Sequence, residues 1–235
     1  KQSQSGETPQ SIEAHEKVLK HYNISSIFLA REVADQIKAG SLTWTKYGGT
    51  HPKPAGNTIA KELIADLLNH TWAKPLPNKA KKNIRPIPKN PIHSASFFNG
   101  RFLSPDLTEY GNAWKWHVPN WKTISGGFRN TFAGMKLLCS DQSNNEVTFE
   151  FVGRAIGAFV LAGPDAGIVE VSIDNQPFKS IDLYHNYSRV LHYPRTVMFA
   201  TNLAHKSHSV RLRLAKPKDT NSKRRAARIL QFTVN

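Results

Sequence analysis

Val210-Arg211-Leu212-Arg213-Leu214 sets an apolar side chain at every second position and a guanidinium at each one between. Successive residues of a strand face opposite sides of a sheet, so this alternation describes a strand with one face in a core and the other in water. The pattern recurs upstream: Val147, Phe149 and Phe151 alternate with polar residues, as do Val169, Val171 and Ile173. Gly163-Pro164-Asp165-Ala166-Gly167 and Asp174-Asn175-Gln176-Pro177 separate such runs with turn-forming residues. Roughly eight or nine short strands fit between Ser96 and Val234, which predicts an all-β sandwich of jelly-roll type over residues 96–235.

Before Ser96 the pattern changes twice. Pro75, Pro77, Pro86, Pro88 and Pro91 are interleaved with lysine. Proline disfavours helix and stiffens an extended chain, so residues 74–95 read as a linker. Upstream of it the apolar spacing is helical. Thr8 and Pro9 suit an N-cap followed by proline in the first turn, opening a helix that runs to about Tyr22. The apolar run Ile24 to Ala30 fits a buried strand. Leu29, Val33 and Ile37 fit a second helix that Gly40 ends, and Ile59, Leu63, Ile64, Leu67 and Leu68 stripe a third. Helix, strand, helix, loop, helix is the closing stretch of a parallel α/β layer, and one strand makes no sheet. Residues 1–73 are therefore expected to be part of a larger α/β domain.

The chain has 235 residues, 39% of them hydrophobic and 21% charged, a composition of globular rather than disordered protein. No run of about 18 apolar residues occurs, so no membrane-spanning helix is expected. The first seven residues lack a signal-peptide core and an initiator methionine, which leads us to expect that the sequence starts inside a longer gene product. A lone Cys139 excludes an internal disulfide and a cysteine-rich metal site. The net charge of +15 is clustered: five lysines and one arginine without an acid between Lys74 and Pro91, and nine basic residues against Asp219 between Lys206 and Arg228. Such clusters either attract polyanions or form a solvated basic surface. No helix-turn-helix, zinc-finger or RNA-recognition pattern accompanies them, so no specific nucleic-acid partner is expected.

Tyr47-Gly48-Gly49-Thr50-His51-Pro52-Lys53-Pro54-Ala55-Gly56-Asn57 directly precedes the third helix. Two glycines let the backbone fold tightly, and two prolines stiffen its exit. A loop of this kind holds one imidazole in a fixed orientation, as a general base requires. Gly-Gly-Thr-His-Pro-Lys-Pro-Ala-Gly followed by an apolar helix resembles the last sequence block of SGNH (GDSL-type) hydrolases. The resemblance implies that His51 is the catalytic histidine, and that residues 1–73 are the C-terminal portion of a flavodoxin-like three-layer domain. The sandwich is then similar to the one accompanying some bacterial carbohydrate esterases. It also implies an acylated carbohydrate or other ester as substrate, no cofactor, and a periplasmic or secreted bacterial setting. Two departures stand out. The family aspartate three residues before the histidine is Gly48 here, which leaves either a carbonyl between Trp44 and Tyr47 to orient the imidazole or an inactive site. No Gly-Asp-Ser occurs. The serine would have to come from a preceding segment of the gene product or from another copy of the chain, and the chain alone is expected to be inactive.

Leu183-Tyr184-His185-Asn186-Tyr187-Ser188-Arg189 and Leu191-His192-Tyr193-Pro194-Arg195 concentrate rings and planar donors. These residues either line a sugar or anion site or cover the sandwich core from a loop. Tyr184, His185, His192 and Arg195, with Trp44, are the candidate substrate contacts. His185 and His192 lack a third ligand at metal-binding spacing, so no metal is expected. Trp114, Trp116 and Trp121 are equally compatible with a stacking platform and with core. The rival function is a non-catalytic sandwich that binds carbohydrate or polyanion.

Overall fold

The computed structural model describes residues 2–75, 84, 86–94, 96–143, 145–217 and 222–235. The chain divides into two compact units, Lys1–Ser94 and Ala95–Asn235. Of the stretch 74–95 expected to be a linker, residues 76–83, 85 and 95 fall outside the described residues.

In the first unit every regular element is helical: a 3₁₀ turn at Gln2–Ser5, then α1 (Gln10–His21), α2 (Leu29–Lys38), the single turn α3 (Trp44–Tyr47) and α4 (Pro54–Thr71). The expected α/β portion of a flavodoxin-like three-layer domain is thus corrected. No strand occurs at residues 24–30 or elsewhere among the described residues of this unit. A short apolar run suits a buried strand or a helix equally well, and its neighbours decide. Asn23 turns the chain at φ 52° after α1, and Ser26 Oγ donates to Glu16 Oε2 at 3.0 Å. Leu29 and Ala30 are then drawn into α2, where Leu29 shares a face with Val33 and Ile37. Without a partner strand, Ile24 stays about half exposed (53%). The first helix also starts one residue later than expected, with Pro9 rather than Thr8 as its N-cap and no capping side chain. Gly40 ends α2 as expected, in the left-handed region at φ 77°.

The second unit is a sandwich of two antiparallel sheets. Its strands are β1 (Arg101–Leu103), β2 (Glu109–Tyr110), β3 (Lys115–His117), β4 (Leu137–Ser140), β5 (Glu146–Gly153), β6 (Ile156–Ala162), β7 (Ile168–Ile173), β8 (Lys179–Asp182), β9 (Tyr193–Ala200), β10 (Lys206–Leu214) and β11 (Ala227–Val234). One sheet has the order β3-β4-β11-β6-β9, with β1 also pairing β11; the other runs β2-β5-β10-β7-β8. The strands beyond the expected eight or nine are the two- and three-residue elements β1, β2 and β3, too short for any period to register. Helices after Pro91 are single 3₁₀ turns among the described residues.

Alternation places the core. Val147, Val169 and Leu212 are fully buried between the sheets with Phe232, Ile229 and Val160. On the opposite face of β10, Arg211 meets Glu146 through two bonds of 2.8 and 3.0 Å, and Arg213 meets Glu170 at 2.7 Å. Both guanidiniums lie over the Phe178 ring. The basic positions of the opening pentapeptide are therefore the wet face of a central strand, matched by acids on its neighbours.

Candidate functional site

The histidine loop is built around two glycines. Thr43 Oγ1 caps α3 by accepting from Lys46 N at 3.2 Å. Gly48 then adopts φ 108°, and Lys53 N returns to Tyr47 O at 2.7 Å, closing the loop on itself. A Cβ at Gly48 would sit 2.5 Å from His51 O and 2.6 Å from Lys53 N. An aspartate is thus excluded at this position by backbone geometry, whatever its charge would do. Gly56, in the first turn of α4, has no room either: a Cβ there would meet Tyr47 O at 2.8 Å and Pro52 Cβ at 3.0 Å. With Pro54 in the first turn of α4, these contacts fix the loop that carries His51.

His51 is exposed. No hydrogen bond to its ring is found among the described residues, so no carbonyl between Trp44 and Tyr47 orients it. Two of those carbonyls serve the backbone instead: Trp44 O accepts from Gly48 N, and Tyr47 O accepts from Lys53 N. Trp44 packs edge-on against Tyr47, with ring centroids 6.0 Å apart. The two rings wall a groove of about 350 Å³ floored by Leu29, Val33 and Ala34 of α2. His51 is not among the residues lining it.

In the sandwich, the candidate contacts divide. His192 is corrected from a substrate contact to a core residue. It is fully buried, its Nε2 lies 3.1 Å from Ser125 O, and its ring packs against Trp121. Burial, aided by the nearby Arg228, lowers its pKa and keeps the imidazole neutral. The tryptophans resolve similarly. Trp114 is buried with Nε1 donating to Asn145 O at 3.0 Å, Trp116 packs on the same core, and Trp121 stacks on Phe128.

Tyr184, His185 and Arg195 do gather at one place. Arg195 donates to Tyr184 O at 3.1 Å, and the Arg224 guanidinium lies 4.5 Å over the Tyr184 ring. Arg224 is itself held by Asp182 and by Ala166 O. His185 stacks on Tyr193 at 5.0 Å, and Tyr187 meets both rings at 5.1 and 5.2 Å. A short turn sets this geometry: His185 Nδ1 accepts from Tyr187 N at 3.2 Å, while Ser188 Oγ accepts from His185 N at 3.1 Å. Nδ1 is thereby the acceptor, leaving the imidazole proton to Nε2. Sequence reasoning missed Tyr187 and Tyr193 as individual contacts, although the ring-rich segment contains them. It missed Arg224 because nothing local links residue 224 to residue 184.

The Asp165 turn holds this end of the sandwich together. Its carboxylate accepts two bonds from Arg228, at 2.8 and 2.6 Å, and its carbonyl accepts from Arg225 N and Ala226 N. Among the described residues, no group of three or more His, Cys, Asp or Glu side chains could hold a metal ion. No described helix is long and apolar enough to cross a membrane.

No protein-family model matches the sequence, and no curated protein matches it. Solved structures do. A two-domain esterase active on acetylated mannans, CEX, overlays 94% of this chain with a TM-score of 0.68 at 13% identity, covering 58% of its own length. Its structure with mannopentaose overlays the same 94%, with a TM-score of 0.65, 12% identity and 57% of its length. The chain thus spans somewhat over half the length of that esterase. A family two carbohydrate esterase from Clostridium thermocellum, in complex with cellohexaose, covers 53% of this chain and 30% of its own at 14% identity, with a TM-score of 0.34. At such identities the likeness to the two-domain esterase is one of fold.

Proposed function

We propose that these 235 residues are the C-terminal part of an SGNH-type carbohydrate esterase, with His51 as general base toward a serine supplied from outside them. The observation carrying this reading is the overlay of 94% of the chain on a two-domain esterase active on acetylated mannans. The fixed, exposed histidine loop supports it. In this reading the imidazole of His51 takes the proton of the serine hydroxyl as its oxygen attacks the acyl carbonyl. It then returns that proton to the departing sugar oxygen, and water releases the acyl group in a second, equivalent cycle. Gly48 cannot be a carboxylate, so the pair works as a dyad, with the imidazole oriented by the serine and the bound ester. Trp44, exposed on the turn before the loop, offers a ring face to the sugar.

The test uses the gene product that carries these residues, assayed on acetylated mannan and a chromogenic acetyl ester. His51→Ala is expected to lower kcat/KM by about 10⁴-fold while the circular dichroism spectrum is kept, the scale lost when a base is removed from a serine–histidine pair. Undiminished turnover would remove His51 from the mechanism. A second reading, a carbohydrate- or polyanion-binding sandwich without catalysis, is favoured by the lack of any hydrogen bond to the His51 ring among the described residues. An inactive unmutated protein would select it.

A further inference from the structure

We propose that the ring cluster of His185, Tyr187 and Tyr193, with Arg195 beside it, binds an anionic glycan. The ligand class is a pyranose polymer carrying carboxylate or sulfate groups. This goes beyond the esterase reading, because it concerns binding by the sandwich and needs no hydrolysis.

The argument starts with β9, an edge strand. Alternate residues share one face of a strand, and the row Phe199, Val197, Arg195, Tyr193 begins in the core and then changes character. Phe199 and Val197 are buried, whereas Arg195 and Tyr193 are half-buried. A sandwich core gains nothing from a cation and a phenol at the end of that row, where apolar side chains would continue the packing. Here both are built in. Tyr193 stacks on His185, and Arg195 donates to Tyr184 O, so the ends of β8 and β9 are joined through these side chains.

Next, the rings are fixed and open together. Tyr187 is 64% exposed, yet it meets two other rings and sits on a turn locked by two side-chain bonds through His185 and the fully buried Ser188. Ordering an exposed aromatic residue in this way does nothing for solubility. It is what a stacking surface needs, since a ligand then meets rings that have already lost their rotamer freedom.

Charge selects the ligand. Two acids of this end are held by arginines, Asp165 by Arg228 and Asp182 by Arg224. Arg189, Arg195, Lys223 and Arg225 have no acidic partner among the described residues. Arg189 lies on the Tyr187 turn, and Arg225 follows the arginine that covers Tyr184. A neutral sugar would use the rings and leave this field idle. An anionic one uses both, through stacking and through planar guanidinium donors.

The full 235-residue chain would be run in affinity gels and titrated calorimetrically with polygalacturonate, a sulfated galactan and neutral glucomannan, and with duplex DNA of equal charge. Binding to at least one anionic glycan is expected, at least tenfold tighter than to glucomannan; the carboxylated and sulfated arms identify which anion is preferred. Tyr187→Ala, at an exposed position, should weaken that binding by about tenfold, the loss of one stacked ring. Tyr187→Phe should stay within about threefold, because the ring face is kept. Arg195→Gln should reduce the preference over glucomannan. Equal binding to DNA would show an unspecific basic field and overturn the proposal. So would absence of binding to either anionic glycan, or a Tyr187→Ala variant that binds as the unmutated chain does.

Discussion

The two units of this chain differ in how much of their own burial they supply. In the sandwich, 21 buried residues among those described form one cluster that includes Trp114, Phe232 and Leu212. In the helical unit the corresponding cluster of buried residues is Val33, Leu42 and Ile59, with Leu29, Ile37, Tyr47 and Leu63 packed partly against it. Val18, Ile24, Phe28, Ile64 and Trp72 remain exposed. Helices are held mainly by their packed apolar faces, so the two units stand on different footings. A continuous core resists local change. A small one depends on a few backbone devices such as the glycine loop.

The sharpest way to break this contrast is to open a cavity in the larger core. Phe232 is fully buried and meets Phe149 at 4.3 Å between ring centroids. Phe232→Ala should lower stability by about 3–5 kcal/mol in urea titration. A loss near 1 kcal/mol would mean that the core is not continuous there. The next largest effect belongs to the glycine loop. Gly48→Ala forces a Cβ against His51 O and Lys53 N at a positive φ, at a cost of at least about 1–3 kcal/mol. Helix content on heating should fall at lower temperature, and Gly48→Asp should do no better than alanine. A neutral Gly48→Ala would show that the loop rearranges freely and would weaken the dyad reading.

The smallest effect is a pH dependence within the sandwich. Asp174 accepts from His208 Nδ1 at 2.8 Å and from Ser209 N at 3.0 Å, and the other His208 nitrogen lies 2.8 Å from Ala204 O. The bond from His208 is the main cause that holds the Asp174 pKa below its ordinary value of 3.8. A depressed carboxylate pKa adds stability that is present above the unfolded value and lost as pH falls through the folded one. Urea midpoints measured downward from pH 5 should therefore decline below about pH 4, and Asp174→Asn should flatten that limb. An unchanged slope in the variant would assign acid sensitivity to other carboxylates.

The sandwich was legible from sequence because its signal is repeated and local. Val147, Val169 and Leu212 each announce an inward position through period two, and no distant residue needs to be known. The run Ile24 to Ala30 failed for the opposite reason. Its apolar content fits two structures, and the choice turned on Glu16 bonding Ser26 and on the lack of a partner strand among the described residues of this unit. At the candidate sites, the loop around His51 could be read from its glycines and prolines, but the imidazole's lack of a carbonyl partner could not. Those carbonyls are used by a backbone fold that no motif records. His192 was misread because exposure of a loop histidine depends on what packs over it, here Trp121 and the Ser125 carbonyl. Arg224 joins Tyr184 across 40 residues of chain, a pairing that only tertiary structure defines.

The Asp165 turn has a consequence for how β11 is placed. By binding Arg228 with its carboxylate and the amides of Arg225 and Ala226 with its carbonyl, it anchors the start of β11 independently of the segment that leads there from β10. The register of β11 is therefore set from the Asp165 turn, by contacts that involve no residue between β10 and Ser222.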